Sequence, residues 1–225
     1  MDESEQGRKE RRRVDALVDE REKRSMDERE KRSEDDSRLR LFYAVELPSE
    51  VRERMAEHIA RLRAEMPRVR AGWERTEKLH LTLKFFGAVP QSRVAALTLA
   101  AGRATSARAP FTLTVADAGA FPPRKAPRVL WLGLRDSRGD LARLHQTLET
   151  ECAVAGFPRE ERSFHPHITI ARLREPRTAL ALAELHRELG FPPLEITVNE
   201  IVLMRSELGP GGSRYTALSH HRLTL

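Results

Sequence analysis

The chain has 225 residues, 40% of them hydrophobic and 33% charged, with 40 basic and 34 acidic side chains for a net charge of +6. No apolar run approaches the roughly 20 residues that a membrane-spanning helix needs, and the charged N-terminus lacks the apolar stretch of a signal peptide, so no membrane partner is expected. The single cysteine, Cys152, excludes an internal disulfide framework and a cysteine-rich zinc site, and a cytoplasmic protein is the expectation.

Residues 1–37 are dominated by charged side chains, and "DEREKRS" stands at 19–25 and again at 27–33. Such a segment cannot bury enough apolar surface to offset its ordering entropy, and a disordered or transiently helical extension is predicted. Residues 1–38 carry 12 basic and 14 acidic side chains, which leaves the remainder at +8. A basic body favours phosphate-bearing partners by Coulomb attraction.

The body, 38–225, opens on "RLRLFYAVELP" (38–48), a strand ended by Pro48. A helix follows over 49–67, with Ser49 placed to cap it, Val51, Met55, Ile59 and Leu62 as its apolar stripe and Pro67 as its stop. "KLHLTLKFFG" (78–87) alternates as a strand, and 92–104 reads as a helix. Strands are predicted over 111–121 and 128–134, a helix over 139–157 with Gly156 suited to its end, and a strand over 164–173. A helix over 177–189 precedes a final hairpin of 194–208 and 213–225 around "GPGG". Several strands are joined by turns too short for a crossover, so part of the sheet must be antiparallel and the fold class is α+β.

Two strands carry the same pattern. "HLTL" stands at 80–83 and "HITI" at 167–170, 87 residues apart. On a strand, positions i and i+2 share a face. His80 and Thr82 therefore look one way while Leu81 and Leu83 anchor behind them, and His167 and Thr169 do the same before Ile168 and Ile170. Similar elements precede each motif, which predicts two lobes of related design with their His-Thr faces opposed. Paired histidines suit in-line displacement at phosphorus, which needs a base for the attacking water and an acid for the departing oxygen. Threonine hydroxyls can donate to the non-bridging oxygens.

These motifs, with "RLFYAVELP", "FPPRKAPRVLWLGL", "RSFHPHITIAR" and "SELGPGGSRYTAL" in order around them, resemble the two-histidine phosphoesterase superfamily and its RNA 2′,3′-cyclic phosphodiesterase branch, also called 2′–5′ RNA ligase. The resemblance covers about 39–225. It implies a two-lobed α+β fold, duplicated about a pseudo-twofold axis, with sheets around a central cleft and helices outside. It implies hydrolysis of a terminal RNA 2′,3′-cyclic phosphate to a 2′-phosphomonoester, with no cofactor or metal. By the same resemblance His80 is the proton donor to O3′, His167 the general base, and Thr82 and Thr169 hold the phosphate. The reverse reaction, a 2′–5′ ligation, is expected to be weak in water. A single chain can supply both motifs, so a monomer is expected.

Other residues keep alternatives. Arg172 could pair with phosphate, although unbroken alternation would point it away from His167. Phe85 or Phe86 could stack the terminal base or simply pack the core. His165 shares a face with His167 if the strand runs through it, so it could line the cleft, contact RNA, or join His80 and His167 in a zinc site. His58, His145, His186, His220 and His221 read as helix-surface or terminal residues, and Trp73 and Trp131 as core. The rival functions are action on another cyclic or 2′–5′-linked nucleotide, a non-catalytic RNA-end-binding module, and a metal hydrolase built on His165.

Overall fold

The computed structural model describes residues 37–123, 126–210 and 212–224. The charged repeat and the extension containing it lie outside the described residues except for Ser37.

Strand β1 (Arg38–Glu46) begins where the apolar alternation begins. Helix α1 (Ser49–Glu65) buries the expected Val51, Met55, Ile59 and Leu62, and His58 with them. Pro48 occupies its N-cap position and no side chain caps the helix, so Ser49 lies in the first turn instead. A three-residue strand, β2 (Ala71–Trp73), was not predicted; it is too short to show a period. Strand β3 (His80–Pro90) carries the first motif, and α2 (Val94–Thr105) follows it. Strands β4 (Phe111–Phe121) and β5 (Val129–Arg135) lead to α3 (Asp140–Val154). Gly156, at φ +80°, ends α3: its N–H bonds the Ala153 carbonyl while that of Phe157 reaches the Cys152 carbonyl. Strand β6 (His167–Leu173) carries the second motif and is followed by α4 (Pro176–Leu189).

The segment expected as one strand over 194–208 is two, β7 (Leu194–Val198) and β8 (Glu200–Gly209). At Asn199 the chain leaves one sheet for the other: β7 pairs with β4 and β8 with β1. Strand β9 (Gly212–Arg222) completes the hairpin with β8.

The strands form two sheets, ordered β3-β1-β8-β9 and β2-β6-β5-β4-β7, and every pair of named strands is antiparallel. Without the short β2, the two orders correspond: β3 to β6, β1 to β5, β8 to β4 and β9 to β7. Each motif strand thus lies beside the first strand of its own half, and the predicted duplication is present. The halves are interlaced, since β8 and β9 complete the sheet that begins with β1 and β3, while β4 and β7 complete the sheet of β5 and β6.

One apolar core unites the halves. Leu41, Tyr43 and Val45 of β1 and Leu81 and Leu83 of β3 meet Leu130, Leu132, Ile168 and Ile170 of the other sheet, all buried. Each such aliphatic side chain contributes about 1.5–3 kcal/mol on burial. The opposite face of the first sheet carries its own small apolar cluster, Phe42, Ala44, Val202 and Met204, with Tyr215 against it.

Three histidines expected at the surface or terminus are buried: His58, His186 and His221. His58 falls on the α1 stripe with Met55 and Leu62, and His186 lies a helical turn beyond the buried Leu182 and Ala183. Burial is tolerated because the polar atoms are paired. His186 Nε2–H donates to the Trp131 carbonyl (3.0 Å), so its Nδ1 is the acceptor of the 2.9 Å bond from His58 Nε2–H. Beneath β3, Lys84 Nζ lies 2.7 and 2.8 Å from the Glu149 carboxylate and 3.0 Å from the Pro158 carbonyl.

Candidate active site

The two motifs are presented by the same local device. In each, the histidine Nδ1 meets the backbone carbonyl two residues earlier: His80 to Lys78 at 2.6 Å and His167 to His165 at 2.8 Å. A carbonyl only accepts, so Nδ1–H donates and Nε2 is the nitrogen left for chemistry. His80 Nε2 lies 3.0 Å from Thr82 Oγ1, the hydroxyl being the donor when the ring is neutral. The contribution of His165 is therefore its carbonyl, while its ring is exposed. Strand β6 starts at His167 rather than 164, since Pro166 offers no N–H to a ladder.

Both motif strands carry a bulge at the same place. On β1, Phe42, Ala44 and Glu46 pair with Phe85, Thr82 and His80, so one extra residue intervenes on β3 between Thr82 and Phe85. On β5, Val129, Trp131 and Gly133 pair with Arg172, Thr169 and His167, with the same extra residue on β6. Residues paired across a ladder share a face. The bulge therefore turns Arg172 onto the face of His167 and Thr169, against unbroken alternation. By the equivalent step Phe85 joins the face of His80 and Thr82, where the residue is 52% exposed and the Arg40 guanidinium lies 5.4 Å from the ring centre. Phe86 packs edge-on against Tyr43 and Phe157 on the core side.

Strands β3 and β6 approach within 8 Å Cα to Cα, which brings the two faces together although they belong to different sheets. Aromatic rings flank each histidine. Phe42 and Tyr215 lie 5.0 and 5.3 Å from His80, and Phe121 lies 5.2 Å from His167. Trp131, expected in the core, stands on the cleft face beside Phe121, 5.1 Å between ring centres. It crosses β4 where Gly119 has no side chain; a Cβ there would lie 2.2 Å from the indole. Tyr215, Phe42, Phe121 and Trp131 were not singled out as cleft residues from sequence. The two histidine faces had no predicted neighbours from distant strands, although Tyr215 lies within the block "SRYTAL" that carried part of the resemblance.

Burial holds the His80 pKa below the ordinary histidine value, and the nearby positive charge of Arg172 and the His167 ring add to the shift, against the opposing bond to Lys78. Arg172 also lies 3.8 Å from Glu74, which borders the same cleft. The cavity beside His80, about 110 Å³, is lined by Phe42, Glu46, Lys78, Met204 and Tyr215 among others. A larger concavity, about 490 Å³, lies elsewhere, between Arg108, Phe111, Arg138 and Glu195, and no histidine lines it. Size alone does not mark the site.

Among the described residues, the one trio of potential metal ligands with donor atoms within 4.8 Å of one another is Glu46, Glu200 and His220. The His80, His165 and His167 trio is not gathered in that way. A 3.1 Å bond already joins His220 Nδ1 to Glu200. Among the described residues no helix is long and apolar enough to cross a membrane.

Residues 47–210 match the 2′–5′ RNA ligase superfamily. The chain is 33% identical over 189 residues to an RNA 2′,3′-cyclic phosphodiesterase of Methanothermobacter thermautotrophicus, covering 83% of this chain and all of the relative. It is 36% identical over 186 residues to the protein of that name from Escherichia coli, covering 82% and 97%. Among solved structures, a Thermus thermophilus protein superposes with a TM-score of 0.67 at 30% identity, covering 82% of this chain and 98% of its own. Escherichia coli LigT complexed with 3′-AMP superposes with a TM-score of 0.64 at 34% identity, covering 84% and 100%.

Proposed function

Since the chain belongs to the 2′–5′ RNA ligase superfamily, we propose that it hydrolyses RNA 2′,3′-cyclic phosphate ends to 2′-phosphomonoesters. The observation that carries the reading is the repeated presentation of His80 and His167. Each ring is held at Nδ1 by a backbone carbonyl and offers Nε2 to one cleft.

The chemistry follows from that arrangement. Water attacks phosphorus in line with the P–O3′ bond while His167 Nε2 takes its proton. As P–O3′ breaks, imidazolium His80 delivers a proton to O3′, and the 2′-ester bond remains. Thr82, Thr169 and Arg172 share the cleft face, where they hold the non-bridging oxygens as charge redistributes. The free cleft disfavours the imidazolium of His80; the negative phosphate opposes that shift and restores the proton to the acid. Phe85 offers an exposed ring on the same face for stacking a base. A single chain carries both motifs, which supports action as a monomer, and the single cysteine supports a cytoplasmic setting.

The test is incubation of the protein with a short RNA ending in a 2′,3′-cyclic phosphate, in EDTA, with the product identified by phosphorus NMR. A 2′-monophosphate is expected. A 3′-monophosphate, or an absence of turnover, would overturn the reading.

A further inference from the structure

Beside His80 lies a second, more open concavity of about 340 Å³. Its walls are Arg75 and Lys78 from the turn before β3 and Arg214 and Tyr215 from the start of β9, with Glu77 the one acidic side chain. It adjoins the His80 cavity, with Glu77, Lys78 and Tyr215 lining both. Among the described residues, none of the three basic side chains is in an ion pair. Lys78 serves both places: its carbonyl fixes His80, and its Nζ lies over Gly212, 3.7 Å from where a Cβ would stand.

The reaction geometry says which side of the site the rest of an RNA must occupy. In-line attack places water and O3′ on opposite sides of phosphorus. O3′ belongs to the ribose, so the ribose and the chain 5′ to it lie on the side of the acid. With His80 as that acid, the strand leaves the site past His80, which is where this basic groove begins.

We infer that the groove of Arg75, Lys78 and Arg214 is a subsite for the RNA backbone phosphate 5′ to the terminal nucleotide, so that the substrate is an oligonucleotide end rather than a cyclic mononucleotide. The inference rests on the proposed reaction and on His80 as its acid. Three unpaired cations against one carboxylate provide net positive charge for a phosphodiester. Guanidinium forks at Arg75 and Arg214 suit its two free oxygens. The flat wall of Tyr215 leaves room for the sugar beside them.

The experiment compares a 2′,3′-cyclic mononucleotide with a dinucleotide ending in a cyclic phosphate, using the full chain and the double variant Arg75→Ala/Arg214→Ala. The wild type is expected to favour the dinucleotide. The variant should lose about ten- to a hundredfold in kcat/KM on the dinucleotide and less than about twofold on the mononucleotide. The salt dependence of the dinucleotide reaction should flatten with it. A dinucleotide preference that is absent in the wild type, or that survives in the variant, overturns the subsite, and so does an equal loss on both substrates. Affinity for a fluorescent dinucleotide ending in a 2′-phosphate, read by anisotropy, separates the two inferences. Unchanged affinity in the variant removes the groove even if turnover is robust. Weakened affinity without turnover of any substrate by the wild type retains the groove and removes the reaction.

Discussion

The guanidinium of Arg172 bears electrostatically on the imidazole of His80, although the two stand on strands of different sheets. A positive charge there opposes protonation of the ring. Arg172→Ala should therefore raise the His80 pKa of the free protein, which histidine Cε1–H titration by NMR can read. The same change should lower kcat/KM, because the cleft loses a phosphate partner. A downward or null shift would remove Arg172 from the electrostatics of His80.

His80→Ala and His167→Ala should each lower kcat by about two to four orders of magnitude, the ordinary worth of a positioned acid or base. Circular dichroism should stay native, since both rings lie at the cleft rather than in the core. Near-normal turnover in either variant would take that residue out of the mechanism.

Stability should fall in mild acid. Burial, together with the neighbouring His186 and Arg61, lowers the His58 pKa to about 4 from an ordinary 6.5. As pH drops below 6.5 the unfolded chain takes the proton first, so protons favour unfolding until the folded protein also titrates near 4. The contribution is fully present above 6.5 and lost across that window. His58→Gln keeps an N–H donor for His186 and should flatten the fall in Tm between pH 7 and 4. Other histidines with lowered pKa, such as His186 and His221, leave part of the slope in place.

Lys84 and Glu149 form a buried ion pair, their side chains 5% and 8% exposed. Glu149 also accepts the Glu160 N–H at 3.1 Å, so the pair ties β3 to the segment that leads into the second motif. Lys84→Met leaves a buried carboxylate short of its main partner and should cost about 3–5 kcal/mol in urea denaturation. Adding Glu149→Leu should recover much of the loss. A single variant as stable as the wild type would show that the pair contributes nothing net.

Gly119→Ala should destabilise by about 1–3 kcal/mol, because the new Cβ meets the Trp131 indole and the ring must move. In a Trp131→Leu background the same substitution should cost less. Equal costs in both backgrounds would locate the strain elsewhere.

The duplicated motifs were legible because alternation is a two-residue signal that survives without tertiary information. His80, Thr82, His167 and Thr169 needed only that. For Arg172 the sequence leaves two orientations open, because a bulge adds a residue without leaving a mark in the sequence; it shows only when the partner strand is known. The flanking rings were hidden for a related reason. Phe42, Phe121, Trp131 and Tyr215 reach the histidines through pairings between distant segments. His58 and His186 looked like surface positions because a polar side chain on an apolar stripe gives no sign of a partner 128 residues away. At Asn199 the alternation of Leu194, Ile196 and Val198 gives way, after only Asn199 and Glu200, to the apolar run 201–204, too brief an interruption to announce a change of sheet.

That exchange at Asn199 has a consequence for how the protein is made. The sheet holding His80 is only half built by β1 and β3, and its inner neighbour β8 pairs with β1 from more than 150 positions further along. A ribosome that has released the whole first motif has released an open edge, which stays unpaired until β8 and β9 emerge. The sheet holding His167 draws, apart from β2, on the consecutive strands β4 to β7, so its face can close first and the His80 face only once β8 and β9 have followed.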